Sequence, residues 1–96
     1  EPKLVERALL NSGVNFQKSK DWIRAISTYD TLVVRYPKSK FAIPALQNMA
    51  DDYQELEQYS NSAATYERIF NDFKNSDEAD VALYNAAYYY KKGKDW

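Results

Sequence analysis

Catalysis near neutral pH draws most often on a histidine, a cysteine or a held metal, and this chain of 96 residues has no His and no Cys. Carboxylates are what remain. Asp51 with Asp52, and Asp77 with Glu78 and Asp80, have the residue types of an acid pair or a Ca²⁺ site, but both groups lack the loop spacing and turn glycine of a calcium loop. The pair reads onto a helix face and the trio onto a helix start. Gly13 and Gly93 stand alone, with no phosphate-loop context. No enzyme, metal site or cofactor is expected, and the remaining chemistry is recognition. Asn11, Asn48 and Asn85 recur at intervals of 37 residues, and each amide both donates and accepts hydrogen bonds. Tyr84 and Tyr88, one helical turn apart, offer rigid area with a polar tip, with self contact as the alternative reading. Arg7, Lys91 and Lys92 could meet a carboxylate, although Asp51 and Glu55 fall between them and a charged helix face is commonly just solvated.

Composition decides which elements could hold such side chains. Apolar residues make up 45% and charged residues 28%, the balance of a folded chain rather than a disordered tail. Two Gly and three Pro leave little turn chemistry for hairpin strands, so helices are expected throughout. Thirteen basic and 14 acidic residues are scattered to a net charge of −1, which gives no field to collect nucleic acid. No run approaches the roughly 18 apolar residues of a membrane span, so no direct membrane insertion is expected. The absence of Cys is compatible with an oxidising or a reducing compartment.

The architecture follows from a repeat. A shift of 37 residues sets Trp22 on Tyr59 on Trp96, Phe16 on Tyr53 on Tyr90, and Leu9 on Leu46 on Leu83. It also sets Gly13 on Ala50 on Ala87, and Tyr29 on Tyr66. Trp22, Ile26, Tyr29, Val33 and Tyr36 follow steps of 4, 3, 4 and 3, the stripe of an α-helix, and Tyr59, Ala63, Tyr66, Phe70 and Phe73 repeat it. Further helices are expected over about Leu4–Lys18, Phe41–Glu55 and Ala79–Lys92, five in all. Ser39 and Ser76 sit where N-caps belong, Asp77 and Glu78 suit a helix start, and Pro37 ends the helix before it. Pro44 requires its helix to begin near Ala42 or to bend. Gly13, Ala50 and Ala87 would let paired helices approach, with Trp22, Tyr59 and Trp96 filling beside them.

These spacings resemble the tetratricopeptide repeat, whose pattern is W-x2-L-G-x2-Y, A-x3-F and a closing P. The first unit matches it with Leu9, Ser12, Gly13, Phe16, Ala25, Tyr29 and Pro37. The second offers Leu46, Met49, Ala50, Tyr53, Ser62 and Tyr66, with Lys74 in place of the proline. The third gives Leu83, Ala86, Ala87 and Tyr90. The resemblance implies an all-α, right-handed superhelical stack of antiparallel hairpins. Repeat 1 would span about 4–37, repeat 2 about 41–74 and a truncated repeat 3 about 78–96, within a single domain. The period of 37 and the phrase from Arg35 to Leu46 further resemble bacterial envelope proteins of the outer-membrane assembly lipoprotein and Tol-Pal-associated coordinator types. A periplasmic or envelope location is implied.

In this family the first helix of each hairpin lines a concave groove for a protein or peptide. A helical wheel then places Arg7, Leu10, Asn11, Val14, Gln17 and Lys18 toward the groove. The same places in the second unit are Pro44, Gln47, Asn48, Asp51, Gln54 and Glu55, and in the third Val81, Tyr84, Asn85, Tyr88, Lys91 and Lys92. The three asparagines would form an amide ladder along an extended peptide, with hairpin geometry or plain solvation as the alternative. The rival to a peptide-binding scaffold is an oligomerising or spacer segment of a larger protein. The third unit stops at Trp96, so Tyr89, Tyr90 and Trp96 are expected to lack cover and to pair with another copy or with a following repeat.

Overall fold

Apolar residues at helical spacing cannot be buried by one helix alone, and this chain buries them by folding each helix back on the one before it. The computed structural model describes residues 2–94, and Trp96 lies outside them. It contains α1 (Pro2–Lys18), α2 (Trp22–Arg35), α3 (Ala42–Glu55), α4 (Tyr59–Asp72) and α5 (Ala79–Gly93), with no strand among the described residues. Each helix packs on its neighbours in sequence. α1 touches α3 only lightly, and the α3 and α5 backbones do not come into contact. The result is a slab of 46 × 33 × 16 Å, the stack of helical hairpins expected from the repeat.

The buried line of α2 is Ala25, Tyr29, Leu32 and Val33, while Trp22 and Ile26 are half-buried. The inward face is therefore turned slightly from the Trp22–Ile26 line. In α4 the corresponding residues are Ser62, Ala63, Thr65, Tyr66 and Ile69. Between them α3 supplies Ala42, Ala45, Leu46, Met49 and Ala50, covered by helices on both sides.

Small residues set the approach of the helices, but the large partner differs from expectation. A Cβ at Gly13 would lie 2.4–2.8 Å from three ring carbons of Tyr29, so the bare backbone of α1 receives Tyr29 rather than Trp22. In the next hairpin Ala50 is fully buried, and its carbonyl accepts a hydrogen bond from Ser62 Oγ at 3.0 Å. Ala87, the third of the series, is exposed, as is Leu83 one turn before it.

The turns inside the hairpins repeat as well. Lys20 and Glu57 adopt left-handed backbone, with φ of 60° and 56°. The following amides reach back in the same way, Asp21 N to Phe16 O at 2.9 Å and Gln58 N to Tyr53 O at 2.8 Å. This is the αL closure of a helix C-terminus, made here without glycine. Between hairpins the serines divide. Ser39 Oγ accepts from Phe41 N at 3.0 Å, one step ahead of regular helix, whereas Ser76 Oγ donates to Phe73 O at 2.7 Å and does not cap α5. Both helices nonetheless begin three residues after the serine, at Ala42 and Ala79, and α5 has Asp80 in its first turn. Pro44 is the third residue of α3, where no intrahelical N–H is required, so the helix starts at Ala42 without a kink.

Two stability outcomes follow. Overpacking against Tyr29 costs about 1–3 kcal/mol against the ~1 kcal/mol that alanine gains over glycine in a helix, so Gly13→Ala should destabilise the fold by up to about 2 kcal/mol; urea denaturation measures the difference. Glu57→Gly should stabilise the second hairpin by about 1 kcal/mol, because it relieves a left-handed residue of its Cβ penalty. An unchanged or lower urea midpoint would contradict the turn geometry.

Candidate functional site

A buried tyrosine hydroxyl needs a partner, and its position fixes the polar side chains around it. Tyr29 is fully buried; its hydroxyl donates to Gln17 Oε1 at 2.6 Å and accepts from Asn48 Nδ2 at 3.3 Å. Burial is the main cause that pushes the phenol up to about 12, with Asp52 and Asp51 adding to the shift and the Asn48 hydrogen bond opposing it. One repeat later Gln54 does the same work for Tyr66. Its Nε2 donates to Tyr66 Oη at 3.2 Å and Ser62 Oγ at 3.0 Å, and its Oε1 accepts from Tyr89 Oη at 3.1 Å.

This polar frame sorts the expected groove residues. Asn48 is half-buried and partly committed to Tyr29, while Asn11 is exposed and Asn85 half-buried, so the three amides occupy different surroundings. Gln47, Val81 and Asn85 come together in a cleft of about 230 Å³ between α3 and α5, floored by Tyr66 and Ile69 of α4. Tyr84 and Tyr88 are 72% and 52% exposed on the same helix as Asn85. Arg7 and Lys91 are also exposed, whereas Leu10 and Val14 pack partly against the core and offer less free surface.

The opposite end of α3 is acidic. Asp51, Asp52, Gln54 and Glu55 line a second cleft, of about 390 Å³, together with Gln17 and Trp22 from the first hairpin. Asp52 has no exposed surface, and neither carboxylate oxygen has a hydrogen-bond partner. Burial, then Asp51, then Glu55 push its carboxyl up to about 7. Asp51 is raised in the same direction by burial and by Glu55. The sequence singled out Asp51 and Asp52 as a carboxylate pair on a helix face, with Asp51 toward the groove. What it lacked was the knowledge that Gln17 and Trp22 are brought beside them.

A third cleft, of about 540 Å³, lies between the start of α1 and the α2–α3 connection. Arg35, Lys38 and Lys40 are exposed around its half-buried Tyr36 and Phe41, with the Lys40 ammonium 5.3 Å from the Phe41 ring centre. Of the aromatics expected to lack cover, Tyr89 and Tyr90 lie against α4, and Trp96 lies outside the described residues. Tyr89 stacks on both Tyr59 and Tyr66, with ring centres 6.2 and 5.9 Å away, and the Tyr90 hydroxyl donates to Glu67. That hydrogen bond, more than burial, raises the Tyr90 phenol. Both residues are half-buried on α4, so the open apolar side of α5 is the one carrying Leu83 and Ala87.

Residues 7–39, covering most of the first hairpin, match the family model of the tetratricopeptide repeat. No curated protein and no solved structure matches the chain. The match over the first hairpin and the five stacked helices together suggest a protein-interaction scaffold.

The buried carboxylate has a measurable signature. Asp52 changes from 3.8 to about 7 on folding, so between those values the folded chain holds a proton that the unfolded chain has lost. Stability from this group is full below the lower value and is lost as pH rises through the upper one. Asp52→Asn should therefore raise Tm by several degrees at about pH 8, with the gain fading toward about pH 4. A variant less stable than wild type at the higher pH would mean that the carboxylate has a favourable partner.

Proposed function

We propose that the chain is a non-enzymatic scaffold that binds a protein or an extended peptide along the face formed by α1, α3 and α5. The observation that carries this reading is the gap between α3 and α5. There an open cleft takes amide side chains from both helices, and α5, which forms one of its walls, also carries two exposed tyrosines. Gln47 and Asn85 would pair with a peptide backbone, while Tyr84 and Tyr88 would supply rigid contact area. Asn48 would contribute through the part of its amide not engaged by Tyr29, and Arg7 and Lys91 would bound the groove on either side. The match over residues 7–39 supports the same class of function. The 37-residue period and the Arg35–Leu46 phrase favour a bacterial envelope setting.

A second reading has its own observation. Leu83 is 45% exposed beside Ala87 in a helix whose equivalents pack this side against a following helix. A second copy or a further repeat would cover it, making the chain an assembly segment, and Leu83→Lys would then lower the mass measured by light scattering.

The scaffold reading is tested by selecting peptides from a random displayed library on the immobilised protein and measuring their affinity by calorimetry. Tyr84→Ala should weaken binding by about 1–2 kcal/mol while leaving helicity unchanged, because its side chain is largely in solvent. Wild-type affinity in both Tyr84→Ala and Gln47→Ala would place the peptide elsewhere and remove the groove assignment.

A further inference from the structure

The two hairpins differ at one place where the repeat makes them comparable. In the second, the Tyr89 ring lies nearly parallel to Tyr59 and Tyr66, at 11° and 16°, and its hydroxyl donates to Gln54. Counting back 37 residues, the same four places are Asp52, Trp22, Tyr29 and Gln17. Asp52 is too short to lie between two rings as Tyr89 does, and the acidic cleft opens there beside the Trp22 indole. One repeat fills this slot with its own planar group. The other buries a carboxylate at the wall of an open cleft.

Resting on the scaffold reading, we propose that this slot captures an arginine side chain of the partner polypeptide. Its guanidinium would lie against Trp22 and face Asp52, Asp51 and Glu55. Four observations point to such a cation. Asp52 is wholly buried with both oxygens unpartnered, an arrangement that a charged donor entering the cleft would relieve. Asp51 and Glu55 line the same cleft, and none of the three carboxylates is in an ion pair among the described residues, where the pairs are Arg24–Asp21 and Arg68–Asp30. α1 and α3 both end beside it, at Lys18 and Glu55, so the negative poles of two helices add to the attraction. The free edge of the slot is an indole, which favours a planar cation.

The chemistry selects guanidinium over the other cations. Among the described residues no three acidic side chains are grouped to hold a metal ion. A lysine ammonium is compact and strongly hydrated, whereas guanidinium is planar, weakly hydrated and able to stack on an aromatic face while its N–H fork meets carboxylates. Gln17 Oε1, which already accepts from Tyr29, stands at the same wall and can accept a further N–H.

The test is an NMR titration of the whole chain at about pH 8 and low salt with acetyl-Gly-Arg-Gly-amide and with the same peptide carrying citrulline, the uncharged isostere of arginine. The arginine peptide should shift the Trp22 indole N–H and the amides of Gln17, Asp52 and Glu55 in a saturable way. The citrulline peptide should bind at least about tenfold more weakly, the scale of one lost charged hydrogen bond. Asp52→Asn should weaken the arginine peptide by a similar factor. Equal binding of the two peptides to wild type, or arginine shifts centred away from Trp22, would overturn the proposal without any variant being needed. Equal binding of acetyl-Gly-Lys-Gly-amide would overturn the choice of arginine. Failure here is separable from failure of the groove. Library peptides that depend on Tyr84 but are indifferent to Asp52→Asn would keep the scaffold and dismiss the arginine slot.

Discussion

The interaction on which the architecture turns is the buried hydroxyl of Tyr29. The ring enters the stack because Gly13 has no Cβ to obstruct it, and once inside, its oxygen has to be satisfied away from water. Gln17 from α1 and Asn48 from α3 meet that oxygen from either side, so one group on α2 fixes the registration of three helices. Nonpolar packing alone would tolerate a slide along the helix axis, because it is not directional. The hydrogen bonds do not tolerate it. The second hairpin reproduces the arrangement through Tyr66, with Gln54 in place of Gln17 and Tyr89 joining from α5.

Repetition made most of the fold legible in the amino-acid sequence, since residues 37 apart must satisfy the same packing. The five helices and the buried small residues Gly13 and Ala50 follow from it directly, while Pro44 left a start near Ala42 or a bend open and the start is what α3 shows. Details that depend on which neighbour arrives were not legible. Ser76 has the residue type of a cap, yet its hydroxyl finds the Phe73 carbonyl three residues behind it. Lys20 and Glu57 carry no glycine signal for the left-handed turns they form. Tyr89 and Tyr90 are adjacent in a run of three tyrosines, and only the arrival of α4 separates these covered rings from the exposed Tyr88.

The site shows the same division. A helical wheel gives the direction of each side chain but not the depth of what closes over it. Gln47 and Asn85, on different helices, meet in one cleft because α4 sets the spacing of α3 and α5, while Asn48 is drawn inward by a hydroxyl nineteen residues away. The clefts along α3 also differ in chemistry. The one toward α5 has tyrosine and amide groups, and the one toward the end of α1 is acidic. A polypeptide lying across both would meet different chemistry at its two ends, a basis for fixing its direction.

Asp52 links the fold to this difference. It occupies the place that Tyr89 takes one repeat later, and its burial without a hydrogen bond is a cost that packing alone does not explain. Where such a group persists, a functional constraint is the physical expectation. The most direct measurement is the titration of the Asp52 side-chain carboxyl by ¹³C NMR in the free protein. A midpoint near 7 is what the account predicts for a buried carboxylate without a favourable partner. A midpoint in the ordinary range near 3.8 would mean that water or a hidden partner already satisfies it, and the account of the acidic slot would be wrong.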